Sequence, residues 1–347
     1  MNAIVESAPT VKATAHPTHK LKLLLKREYW EHRGGFFWGP LVAGIITVLM
    51  HLIGLVIAEV LLRQALAGSG SAGGGKFVIN GLDLNSISAQ MSPAEQQHLV
   101  DLLGIGAFSA MFWPMAVLGF VVFFYCLGAL YDDRKDRSVL FWKSLPVSDR
   151  DTVLSKLLAA LVLAPVLATG IAIVAMIAQM LITSVFILIH HGNPLALVWS
   201  PRVLLGNVGI VLAALPLYAL WALPSAGWLL LCSAWAKTKP FLWAIALPVV
   251  AGGVLSWLDY GSSFDLHSKW FWKNVVAHLL GGVFPASWAS AMNPAMFRGA
   301  AAGEMGYAGI LQAMSSVLSS PQLWLGAGVG IAMITAAIRL RRWRDEG

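Results

Sequence analysis

The stretch "FFWGPLVAGIITVLMHLIGLVIAEVLL" runs from Phe36 to Leu62 and carries one formally charged residue, Glu59. A helix needs about 20 apolar residues to cross the hydrocarbon core of a bilayer, so this stretch is long enough by itself. Five more stretches have the same chemistry: Ile105–Tyr131, Leu157–Ile189, Val203–Ala236, Phe241–Leu258 and Gln322–Leu340. Of the 347 residues, 58% are hydrophobic and only 12% are charged. An ordinary soluble domain carries roughly 25% charged residues, so this chain lacks the polar skin of one. The expected fold is an all-α polytopic membrane protein with six transmembrane helices. The third and fourth spans exceed one crossing and must tilt, bend or protrude. Pro165, Pro216 and Pro224 are the expected bend points, because each removes a backbone donor.

Orientation follows from the basic residues. Of 24 Lys and Arg, 18 fall in alternate segments: the N-terminal tail, the connection between spans two and three, the turn at Lys237–Lys239, and the C-terminus. The positive-inside rule then puts both ends in the cytoplasm, which six crossings allow. Residues 1–18 read as a disordered cytoplasmic tail without the apolar core of a signal peptide, and residues 341–347 as a cytoplasmic C-terminus. Loops 63–104 and 259–321 would lie outside. The expected location is a bacterial cytoplasmic (inner) membrane. The net charge of +7 is spread between spans, so the expected contacts are membrane lipids and not nucleic acid. Cys126 and Cys232 each sit in an apolar run and read as small buried hydrophobes.

One region could upset the count. Lys269–Ser290 is apolar in pieces of about half a span, interrupted by Lys273, His278, Gly281, Gly282 and Pro285. It reads as a re-entrant or interfacial helical segment, with Trp270, Trp272 and Trp288 suited to the headgroup region.

The tract "GSGSAGGGKF", Gly68–Phe77, spells most of a phosphate-binding loop. Phe77 stands where a Mg²⁺-ligating Ser or Thr belongs, a membrane helix precedes it instead of a strand, and the charge count places it outside. It reads as a flexible linker.

Two elements face the cytoplasm. In residues 19–35, Leu21, Leu24, Leu25, Glu28 and His32 follow helical spacing between flanking lysines and arginines. This is the pattern of an amphipathic membrane-surface helix, which the glycines Gly34-Gly35 then break. It serves either as an anchor for the first span or as a docking surface for a soluble partner. The second element, Tyr131–Lys156, opens on Asp132, Asp133, Arg134, Lys135, Asp136 and Arg137. It continues through the apolar Val139–Trp142, turns at Pro146, and restarts a helix at Ser148 and Asp151.

The stretch "FWKSLPVSDRDTVLSKLLAAL", Phe141–Leu161, resembles the cytoplasmic loop and third span of ABC-2 type permeases through Leu145, Pro146, Val147, Ser148 and Lys156. The basic N-terminal helix, six spans and broken segment before the last span agree with that layout. The loop of about 40 residues after the first span is a departure from its smallest members. The resemblance implies a permease subunit of an ATP-driven exporter, served by separate cytoplasmic ABC ATPase subunits and paired with a second permease, identical or homologous. This chain would bind no cofactor, with ATP and Mg²⁺ held on the partner ATPase. On that view Trp142, Lys143 and Ser144 make the coupling contact, surrounded by Asp132, Asp133, Arg134 and Arg137, with Glu28 and Arg33 on the surface helix.

Polar residues within the spans are functional candidates in their own right. His51 and Gln179 could line a cargo path, or Gln179, Thr183 and Asn207 could simply bond between helices. Glu59 and Arg63 are spaced for a local ion pair, and His190-His191 reads as a surface feature. Two other function classes stay open. One is a membrane enzyme acting on lipids through His51, Glu59 or His278. The other is an ATPase-coupled anchor or sensor that signals outward through Gln64–Gly104. The aromatic content favours an apolar or amphipathic substrate.

Overall fold

The computed structural model describes residues 17–68, 84, 90–135, 148–261, 267–301 and 306–344. Among these residues the fold is all helical, with six helices long and apolar enough to cross a membrane. Helix α1 (Pro17–Arg33) leads through a π turn (Gly34–Trp38) into α2 (Gly39–Gly68), the first span. The second span joins α3 (Pro93–Ser109) and α4 (Phe112–Gly128), and a short α5 (Tyr131–Lys135) follows. The third joins α6 (Asp149–Leu158), a π turn (Ala159–Leu163) and α7 (Ala164–Ile189). After a one-turn α8 (Pro194–Leu197) come the fourth span, α9 (Pro201–Trp235), and the fifth, α10 (Pro240–Gly261).

The expected break at Gly34-Gly35 is not a break. The chain kinks at His32 (φ −113°, ψ 17°), and the helix continues through the π turn, where the Gly39 amide donates to the Gly34 carbonyl. The glycines serve packing instead. A Cβ on Gly35 would sit 3.1 Å from Val121, and one on Gly39 would sit 3.3 Å from Val117. The second π turn falls just before Pro165, where the widened register relieves the clash of a proline ring with the carbonyl one turn back. Pro216 and Pro224 lie inside α9 as expected, and Pro248 lies inside α10.

Residues 268–291 form α11 (Ser268–Phe271), a π turn (Trp272–Val276), α12 (Ala277–Gly281), a tight turn with Ala286 at φ 66°, and a 3₁₀ turn (Ser287–Ala291). The tip reaches mid-bundle. The Tyr218 hydroxyl of α9 donates to the Val283 carbonyl at 2.8 Å, and His278 stacks on Trp221. The Phe284 ring occupies the space a side chain at Gly119 would need. The chain then returns through α13 (Pro294–Ala301) and α14 (Tyr307–Leu318) to the end of α9 where Tyr307 reaches the Val203 carbonyl. The segment thus enters to the middle of the bundle and leaves toward the same end. Trp270 is exposed as a headgroup anchor would be, but Trp288 is not: it is 7% exposed and packs with Leu217, Trp221 and Met314. The turn at Ala286 folds its ring inward, a reversal that apolar spacing cannot reveal.

The last span, α15 (Pro321–Arg344), packs along α9 at backbone distance, with Gly227 of one against Gly330 of the other. The main core lies between the second, third, fourth and sixth spans, and both cysteines are buried in it. The expected linker at residues 69–77 and most of the loop around it lie outside the described residues.

Candidate functional site

Helix α1 turns Leu24 and Glu28 inward, onto α6 and the core, so its apolar stripe faces protein as well as membrane. Glu28 stands in register with leucines and is only 1% exposed. A carboxylate so placed needs partners, because burying one unpaired costs several kcal/mol. It has two. The Tyr125 hydroxyl donates to Glu28 Oε2 at 2.7 Å, and Lys156 Nζ lies 3.3 Å from Oε1. Lys156, also 1% exposed, reaches Asp133 Oδ2 at 3.4 Å. Arg341 Nη1 is 3.4 Å from that same oxygen, and Arg341 Nε is 3.3 Å from Asp149 Oδ1. The result is an alternating chain of charge: Glu28, Lys156, Asp133, Arg341, Asp149. It ties together α1, the end of the second span, the start of the third and the end of the last. Ser148 caps α6 by accepting from the Asp151 amide at 3.1 Å, which presents Asp149 in the first turn and Lys156 on the same face about two turns on.

These contacts place the N-terminal helix and the C-terminal end of the last span at one end of the bundle. Residues 136–147 join the network's two middle helices, α5 and α6. Trp142, Lys143, Ser144 and Arg137 lie outside the described residues.

The other expected coupling residues separate. Asp133 is in the network. Asp132 points instead to a cavity beside α1. Arg134 reaches the carbonyls of Ser233, of Ala236 (3.1 Å) and of Leu130 (3.3 Å), and so caps the end of the fourth span. Arg33 is exposed, with its guanidinium 5.7 Å from the centre of the Trp30 ring. Lys156, Tyr125, Asp149 and Arg341 had no assigned site role from sequence. A charged Glu28 in a leucine stripe was the available signal that a buried cation had to meet it.

His51 and Gln179 act as fasteners. His51 Nε2 is 2.9 Å from Thr183 Oγ1, the Thr183 hydroxyl donates to the Gln179 carbonyl, and the Gln179 amide donates to the Gly106 carbonyl at 3.0 Å. Asn207 likewise donates to the Gly104 carbonyl at 3.1 Å. His51→Leu should therefore lower stability by about 0.6 kcal/mol, the usual worth of one such bond between membrane helices, and leave transport unchanged. Thermal unfolding and transport assays check this, and lost transport at full stability would put His51 on the cargo path.

At the opposite end, Glu59 pairs with Arg63 at 2.5 Å, as its spacing predicts, and also with His190 Nε2 at 2.8 Å. His190 is thus no surface feature. It is buried, and its Nδ1 is engaged with the Phe186 carbonyl at 2.8 Å. His278 is held elsewhere, with Nε2 2.9 Å from the Trp221 carbonyl. His51, Glu59 and His278 each have separate partners, so the fold does not assemble them into one reacting centre. Ligand atoms of Glu28, Glu31 and His32 do lie within 4.8 Å of one another, close enough for a metal ion. Both Glu28 oxygens are already engaged, however, and Glu31 pairs with Arg27 at 2.6 Å, so this cluster belongs to the ion-pair network.

Residues 102–212 match the family model for ABC-2 family transporter proteins. The matched region is that of an ABC-2 type permease. It runs from within α3 to the first part of α9, and so includes Asp133, Asp149 and Lys156. Glu28 and Arg341 lie on either side of it. No curated protein and no solved structure matches the chain. The chain has six helices long and apolar enough to cross a membrane, as an integral membrane protein does, and the matched region ties it to a transport component.

Proposed function

We propose that this permease is the transmembrane subunit of an ATP-driven exporter that moves an apolar or amphipathic substrate out of the cytoplasm or the inner leaflet of a bacterial inner membrane. A separate ABC ATPase on the cytoplasmic side supplies the energy and holds ATP and Mg²⁺, and a second permease, identical or homologous, completes the path. The observation that carries this reading is the buried charge chain at one end of the bundle. That end also collects most of the Lys and Arg, which supports reading it as the cytoplasmic one.

The route of coupling follows from connectivity. A partner bound to residues 136–147, with Trp142, Lys143 and Ser144 in contact and Arg137 beside them, displaces α5 and α6. Those helices carry Asp133, Asp149 and Lys156, so the displacement passes to Glu28 on α1 and to Arg341 on the last span. The two elements move together because their charges pair with the same pair of helices.

Reconstitution with a candidate ABC ATPase partner tests the proposal. The chain alone should hydrolyse no ATP and turn over no lipid, and the complex should show hydrolysis stimulated by the permease. Lys143→Glu with Arg137→Glu should abolish that stimulation. Lipid turnover by the chain alone, or full stimulation with both charges reversed, would overturn it.

A further inference from the structure

Between α1 and the second span lies a cavity of 500 Å³, a volume in the range of small-molecule sites. Its wall divides by chemistry. At the network end stand the carboxylates of Glu31 and Asp132. Toward mid-bundle stand the rings of Phe36, Tyr125, Phe124 and Phe120. From Asp132 back to Phe120 the second span climbs twelve residues, roughly 18 Å at the helical rise, so the charged and aromatic ends are far apart.

The aromatic wall is braced. Phe36 and Tyr125 meet edge to face with centroids 4.9 Å apart, Phe284 backs Phe120 at 4.9 Å, and Phe241 stacks on Phe124 at 6.1 Å. Phe120 and Phe124 are nevertheless 56% and 57% exposed, so their faces are open to an occupant. The charge is specific too. Glu31 shares its carboxylate with Arg27, whereas Asp132 has no partner among the described residues. Its carboxylate folds back over Gly128, where a Cβ would stand 2.6 Å from Oδ2. The polar end therefore carries two carboxylates and, among the described lining residues, no Lys or Arg, and aromatic faces attract cations.

We propose that this cavity binds a monovalent amphipathic organic cation, a single-chain amine or quaternary ammonium. Its headgroup lies against Asp132 and Glu31, and its chain lies along Phe124 and Phe120. An anion meets two carboxylates there, and a purely polar cation leaves the aromatic half unfilled. Binding is read directly, so its test needs no ATPase.

Equilibrium binding of radiolabelled dodecyltrimethylammonium to the full chain in phosphatidylcholine nanodiscs decides the matter. The expected result is saturable binding of one cation per chain, weakened about tenfold by Asp132→Asn and comparably by Phe120→Ala, in line with one lost charge contact or one lost aromatic face. Circular dichroism and unfolding midpoints near wild type would show that both variants are folded. Octyl glucoside and dodecyl sulfate should not compete. Unsaturable partitioning, equal binding by the Asp132→Asn chain, or equal competition by the uncharged detergent would overturn the proposal. So would displacement of the probe by phosphatidylethanolamine in the discs, which would make the occupant a membrane lipid.

Discussion

On the proposed coupling route, Lys156→Met should destabilise the network end of the bundle and disconnect it from the proposed ATPase. Lys156 is the cation that separates Glu28 from Asp133, at 3.3 and 3.4 Å. Methionine fills similar volume but leaves two buried carboxylates facing one another's field. Removing one partner of a buried ion pair typically costs 3–5 kcal/mol, because the remaining charge stays desolvated and uncompensated. Thermal unfolding of the purified variant should show a loss of that order, and ATP-driven transport should vanish with it. The pair Lys156→Met with Glu28→Gln distinguishes support from coupling. Glutamine still accepts from the Tyr125 hydroxyl, and Asp133 keeps Arg341, so most of the lost stability should return. If the network transmits motion, transport should not return, because α1 no longer answers to α6. A single variant as stable as wild type would mean that these charges are not buried together. A double variant with full transport would make the network a structural clasp alone.

How far the sequence disclosed this arrangement depended on the physics of each feature. The six spans were legible because lipid is a uniform solvent, and any segment in it must be apolar for about 20 residues whatever it packs against. The Ser148 cap and the Glu59–Arg63 pair were legible because they are local. The second span begins a full α-helix earlier than its apolar run, at Pro93, where Ser92 and Glu95 form a capping box that spelling alone could have revealed. Other features were not local. Asp132 and Asp133 are adjacent and chemically identical, yet successive helical residues point about 100° apart, and only the packed bundle decides which of them meets Lys156. His190 was read as a surface residue because its partner, Glu59, lies on another helix 131 residues away. His51 and Gln179 resemble pathway residues in sequence, and the fold uses His51 Nε2 and the Gln179 amide between helices while leaving the buried Gln179 Oε1 without a partner among the described residues. Trp288 looked like an anchor until the turn before it folded the ring inward.

The fourth and sixth spans meet backbone to backbone, and this sets up the other large effect. On the last span, a Cβ at Gly330 would stand 2.6 Å from the Leu223 carbonyl carbon and 2.7 Å from the Pro224 nitrogen; on the fourth, one at Gly227 would stand 2.7 Å from the Gly330 carbonyl oxygen. These are backbone atoms of two helices, so neither side can rotate away, and small residues at such crossings let membrane helices approach. Gly326, one turn earlier, faces Pro224 and His278 at 3.6 and 3.7 Å and continues the same face. Gly330→Leu must push the spans apart. Overpacking alone typically costs 1–3 kcal/mol. The damage should spread further, because Arg341 lies on the same helix eleven residues on, roughly 16 Å along its axis. A displaced last span draws Arg341 away from Asp133 and Asp149 and opens the charge network from its far end. Gly330→Leu should therefore combine a lowered unfolding midpoint with lost ATP-driven transport, although it lies far from every coupling residue. Gly328→Leu is the matched control, because a Cβ there meets nothing within 4 Å. It should keep near-wild-type stability and transport. If the two leucine variants behave alike in unfolding and transport assays, the fourth and sixth spans do not meet backbone to backbone, and the link from the middle of the bundle to Arg341 is broken with them.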